Sequence, residues 1–177
     1  MAKNYVKRQK ASEIFFNKLV KGGLLNQLFP GKKVIEVYLE DKEKDLLDWY
    51  LKIDRLIEVD GERKAFQFRI LDISPNNPHC VTIRNQQSDI ICEWDTLDTI
   101  PNMLFIFKNK KGEVVRRCWL ETPKDLKKHV IQNKDKQGRG TWGFQPAKNP
   151  NDNPFVYFNV SYLQALAILG IIQYREF

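Results

Sequence analysis

The chain has 177 residues with a net charge of +7, 42% hydrophobic residues and 12% aromatics. That is enough apolar material for one cored domain spanning residues 1–177, and too aromatic for a disordered chain. Three well-separated cysteines without a CxxC and two distant histidines exclude a zinc-finger pattern and fit a reducing, cytoplasmic compartment. The basic amino terminus lacks the early apolar stretch of a secretory signal. The most apolar segment, residues 155–172, is interrupted by Asn159, Ser161 and Gln164, so a soluble protein without a membrane span is expected.

The charge is unevenly placed. Residues 1–33 hold eight Lys/Arg and one acid, whereas residues 34–60 hold nine acids and four bases. A basic arm beside an acidic patch suits a protein whose arm holds a polyanion and whose acids hold a metal ion. The competing reading is a solvated helix face followed by solvated strand ends.

Residues 11–20 read as an amphipathic helix, with Ile14, Phe15 and Leu19 on one stripe and Gly22-Gly23 ending it. Leu24, Leu25, Leu28 and Phe29 extend the apolar surface. Residues 33–39 alternate as a strand, and 40–45 form a charged connection. Residues 49–59 and 64–71 form a β-hairpin across Asp60-Gly61, since Gly accepts positive φ. A Pro/Asn loop over 74–78 precedes a short strand at 80–84. A second hairpin joins 103–108 to 113–120. Thr122 caps a helix that reaches about Gln132, with Pro123 in its first turn. Residues 134–153 read as a long loop in which Trp142 and Phe144 either anchor to the core or stack on unpaired bases. A last strand at 155–160 leads to a closing helix, capped by Ser161, that ends near Gln173.

The first hairpin concentrates the polar chemistry. A two-residue turn sets Val59 against Glu62, and therefore Asp54 against Gln67 and Lys52 against Arg69. Period two puts Asp54, Gln67 and Arg69 on one face, opposite a row of Phe66, Phe68 and Ile70. Strict alternation sends Arg55 to the apolar face unless a bulge re-aims the chain near Asp54. The structural alternative for this cluster is a cross-strand Asp54–Arg69 salt bridge on a half-exposed sheet.

Glu13 on the first helix, Asp54 in KIDRLIEVDG and Gln67-x-Arg69 in FQFRI resemble the helix–strand–strand–strand core of the PD-(D/E)XK nuclease superfamily, over roughly residues 12–84. That family places an acid on the helix, an Asp on the second strand and (D/E)-x-K on the third. The resemblance implies an α/β (α+β) fold with a mixed central sheet flanked by helices, a restriction-endonuclease-like core. It also implies a Mg²⁺- or Mn²⁺-dependent endonuclease of phage or mobile-element type, cleaving DNA, and a homodimer when both strands are cut. Asp54, Gln67, Arg69 and Glu13 would be the catalytic positions, with Asp54 and Gln67 as metal ligands. The second carboxylate is Gln67 here and the lysine is Arg69. A neutral amide oxygen holds a hard cation less firmly, and Arg stays protonated, so it would brace a phosphate rather than act as a base. The same departures support the alternative of a catalytically inactive nuclease-like fold that binds nucleic acid or serves as an accessory protein. Lys7, Arg8, Lys10 and Lys52 are expected to meet backbone phosphates.

Overall fold

The structure is a computed structural model that describes residues 2–73, 80–85, 93–138, 140–146 and 154–177, the side chains of 2–9 excepted. The loop expected at 74–78, together with His79, Cys92, Arg139 and the side chains of Lys7 and Arg8, lies outside the described residues. Cys80 and Cys118 are free thiols. Among the described residues, no helix is long and apolar enough to cross a membrane.

The first helix, α1 (Ala2–Lys21), begins nearer the amino terminus than the apolar stripe indicates. Gly23, at φ 88°, breaks it from α2 (Leu24–Leu28), whose three leucines are buried. Positive φ suits glycine because no Cβ meets the backbone there. β1 (Val34–Glu36) then pairs antiparallel with β2 (Arg55–Val59), and β2 with β3 (Glu62–Asp72). The turn between β2 and β3 has positive φ at both Asp60 and Gly61, and Val59 faces Glu62 as the turn requires.

The connection between β1 and β2 differs from the strand reading. Residues 41–51 are helical: α3 (Asp41–Leu46) is followed by a π-helical turn (Leu47–Leu51). Glu40 caps α3 reciprocally with Glu43, whose Oε2 accepts the Glu40 N–H at 2.8 Å. Leu47 and Leu51, four apart, share a helical face and are half-buried, so a helical repeat wins over apparent alternation. Lys52 closes the turn in the left-handed region at φ 55°. It is therefore not on a strand and does not stand opposite Arg69.

After β3 the chain crosses over through β4 (Cys80–Arg84) and returns as β5 (Asn102–Lys108), which pairs parallel with β3. β6 (Val114–Glu121) follows by an antiparallel hairpin, and α4 (Pro123–Gln132) comes next. Thr122 sits at the expected boundary, but at φ 46° and without a side-chain cap bond. The polar stretch expected to be all loop contains a short 3₁₀ turn (Lys134–Lys136) and a strand, β7 (Trp142–Gln145). The Trp-Gly-Phe-Gln run is long enough to pair with β8 (Phe155–Asn159), and Trp142 is buried there. α5 (Val160–Ile168) is capped by Asn159, whose Oδ1 accepts the Ser161 N–H at 2.9 Å. It stops short of Gln173, because Gly170 at φ 70° turns the chain into β9 (Gln173–Glu176).

Among the described residues the strands form a six-stranded mixed sheet, ordered β1-β2-β3-β5-β6-β9, and a three-stranded sheet, ordered β4-β8-β7. The protein is thus α+β, with a mixed central sheet flanked by helices. One face of the large sheet packs Ile57, Phe66, Leu104 and Trp119 against Phe16 of α1 and the leucines of α2. The opposite face packs Met103, Phe105 and Leu120 against the small sheet, α4 and α5. Covering both faces explains why β5 is apolar without alternation.

Candidate active site at the start of β2

Asp54 lies one residue before β2, where the ladder to β3 becomes irregular. Arg55 is the partner of Phe66 in register, yet the Asp54 N–H also donates to the Phe66 carbonyl, at 3.1 Å. Two successive residues thus share one partner, which is how a bulge frees a side chain from strict alternation. The Asp54 carboxylate turns back to β3, and its Oδ2 accepts the Phe68 N–H at 2.9 Å.

Arg55 follows the alternation and reaches the α1 face. Its guanidinium lies 5.4 Å from the Phe16 ring centre and 5.5 Å from that of Phe68. It donates to the Asp54 carbonyl at 2.9 Å, to Glu13 Oε1 at 3.0 Å and to Asn17 Oδ1 at 3.2 Å, with Glu36 3.4 Å away. Glu13 is therefore an ion-pair partner of Arg55. Both line a groove of about 410 Å³ that also includes Asn17, Glu36, Tyr38, Lys44 and Asp54.

Gln67 and Arg69 occupy the other face of β3, beside Met103 and Phe105 of β5. This face lies beneath the second layer rather than in an open cleft. Gln67 is only 5% exposed, and its Oε1 is buried without a hydrogen-bond partner among the described residues. Arg69 pairs with Glu93, also 5% exposed, and not with Asp54. Glu93 Oε2 additionally accepts the Arg84 N–H at 3.0 Å. The alternative of a cross-strand Asp54–Arg69 salt bridge is not what forms, because Glu93 takes the guanidinium. Lys52 instead places its ammonium 5.6 Å from the Trp49 ring centre.

The electrostatics centre on Asp54. Part of the residue reaches the groove, but its carboxyl is packed round by protein. Burial pushes its pKa from 3.8 up to about 7, against the Phe68 N–H bond, and the negative charges of Asp48 and Glu93 add to the rise. Asp48 is raised as well, first by burial. Three carboxyl groups thus act on one another around Asp54, with Lys52, Arg55 and Arg84 offsetting them in part.

Asp48 and Glu93 are the residues that the sequence reading missed. Asp48 fell between the charged connection read at 40–45 and the strand read from 49, whereas the structure puts it in the π-helical turn. Glu93 had no local signal: it is one of four acids over residues 85–100, a run without Lys or Arg that reads equally as a solvated acidic stretch.

A hard divalent cation is compatible with this set. Asp54 lines the groove and supplies a carboxylate, an oxygen donor of the kind Mg²⁺ takes, while the Gln67 amide oxygen, without a hydrogen-bond partner among the described residues, lies on the enclosed face of β3. Among the described residues, no three His, Cys, Asp or Glu side chains form a closed cage. Mg²⁺ does not need one, since it commonly binds through one or two carboxylates, waters and substrate phosphates. No protein-family model, curated protein or solved structure matches the chain.

Proposed function

We propose that this protein is a metal-dependent nuclease cleaving DNA phosphodiester bonds, built on a restriction-endonuclease-like core. The observation that carries the reading is the Asp54 carboxyl, held near neutral pKa by burial and by two neighbouring carboxylates at the edge of a groove. A divalent cation would relieve that crowding. Supporting it is the order α1, α2, β1, α3, π-helical turn, β2, β3, in which Glu13 is on the first helix, Asp54 enters the second strand and Gln67-x-Arg69 is on the third.

Asp54 and Gln67 would hold Mg²⁺ or Mn²⁺, which supplies a Lewis acid for the phosphate and a more acidic water. Arg69, held by Glu93, would brace a phosphate oxygen rather than act as a base. Glu13 holds Arg55 in place at the groove rather than joining the ligand set.

The enclosed Arg69–Glu93 pair favours a second reading, an inactive nuclease-like fold in which Arg69 serves the interior. One assay separates the two. Supercoiled, linear and single-stranded DNA, with RNA as comparison, are incubated with Mg²⁺, Mn²⁺ or chelator. The nuclease reading expects metal-dependent cleavage that Asp54→Ala abolishes. Absence of cleavage in the parent under every metal condition leaves the inactive fold.

A further inference from the structure

The connection between β1 and β2 carries three large aromatic side chains that the core does not use. Tyr38 is 83% exposed, Trp49 62% and Tyr50 60%. Two of them lie beside a cation: Lys44 is 5.5 Å from the Tyr38 ring centre and Lys52 is 5.6 Å from that of Trp49. The segment runs directly into Asp54. Tyr38 and Lys44 line the same groove as Asp54. Asp48, next to Trp49, acts on Asp54 through its charge and is itself offset in part by Lys52. The π-helical turn under Trp49 and Tyr50 is a rare geometry that is frequent at functional sites.

We propose that Tyr38, Trp49 and Tyr50 form a stacking platform for the unpaired bases of a single-stranded nucleic acid, feeding the strand towards Asp54. This rests on the nuclease reading for the purpose of the platform, but not for its binding. Aromatic faces accept any base, and an ammonium beside the ring meets the adjoining phosphate. Duplex DNA hides its base faces and has nothing to offer the rings. The acids Asp41, Glu43 and Asp45 on α3 oppose a long phosphate track, so the platform holds few nucleotides and its share of binding depends little on salt.

Binding is measured with the full chain in excess chelator, so that cleavage plays no part. The probes are a short oligothymidylate, the same strand with abasic sites, and a duplex of equal length. Affinities of the parent and the variants are read from the anisotropy of end-labelled probes; in the parent, Trp119 and Trp142 are buried and Trp94 is half-buried, so quenching of intrinsic fluorescence that disappears in Trp49→Phe reports on Trp49. The expected result is quenching by oligothymidylate, with the abasic strand and the duplex binding more weakly. Trp49→Ala should weaken single-strand binding at least about fivefold, and Trp49→Phe should restore most of it. Both variants change an exposed side chain, and unchanged melting verifies folding. Equal binding of duplex and single strand, indifference to Trp49→Ala, or no binding of any oligonucleotide each overturns the platform. Loss of the nuclease reading appears separately, as binding that persists without metal-dependent cleavage.

Discussion

Replacing Asp54 by Asn separates electrostatics from chemistry. In the folded chain the Asp54 carboxyl titrates near pH 7, against 3.8 for an ordinary aspartate. The bound proton therefore favours folding: this contribution is full below 3.8 and is lost as pH rises through about 7. At about 1.4 kcal/mol per pH unit, the ionised group costs the native state about 4 kcal/mol at pH 8, and nearer 2 once the solvated groove is allowed for. Asn keeps an oxygen that can accept the Phe68 N–H and removes the charge that repels Asp48 and Glu93. In chelator at pH 8, Asp54→Asn should be more stable than the parent by about 2–4 kcal/mol, or roughly 5–10 °C in Tm. At pH 4.5 the advantage should shrink to about 1 kcal/mol. Urea unfolding at the two pH values reads this directly. Mg²⁺ should then stabilise the parent at pH 8 by mass action and leave Asp54→Asn unchanged, while cleavage is lost. A variant less stable than the parent at both pH values would refute the electrostatic account of this site.

Gln67→Glu adds a carboxylate to the crowded set. It should lower Tm at pH 8 in chelator, enlarge the Mg²⁺-induced rise in Tm, and preserve or raise cleavage. Glu93→Gln leaves Arg69 without its counter-charge and should cost about 3 kcal/mol in urea unfolding, as breaking an enclosed pair usually does. At Gly143 an added Cβ would lie 2.4–2.7 Å from the Tyr157 ring across the β7–β8 ladder. Gly143→Ala should therefore cost about 1–3 kcal/mol, and part of that loss should disappear in a Tyr157→Ala background.

Local chemistry made much of the fold legible. Asp60-Gly61 fixed the hairpin register, and the apolar run at 103–107 marked a strand. The connection over 41–51 was misread because Leu47, Trp49 and Leu51 alternate as well as they repeat at helical spacing. Only the Glu40–Glu43 cap betrayed the helix, and glutamate is an unusual residue at that position. For the site, period two correctly put Gln67 and Arg69 on one face, but periodicity carries no information about what covers a face. That cover comes from residues far along the chain, so the partner of Arg69 and the enclosure of Gln67 were invisible. Arg55 shows the converse. Alternation placed it correctly, and the cost of a cation on an apolar face is offset by Glu13, Glu36 and two aromatic rings, a set no local pattern reveals.

The crossover between β3 and β5 has a consequence for synthesis. β4 leaves the ribosome early, yet it pairs with β8, so that Val81 waits for Phe158 and Ile83 for Val156. The β2–β3 hairpin and then the β5–β6 hairpin can close while β4 remains unmated, with its apolar row uncovered. A nascent chain in that state offers a free strand edge to its neighbours on the same polysome. Slower translation does not shorten that exposure, whereas a chaperone that masks residues 80–84 does. Truncation before residue 155 would make the exposure permanent, and such fragments are expected in inclusion bodies rather than as a smaller folded protein.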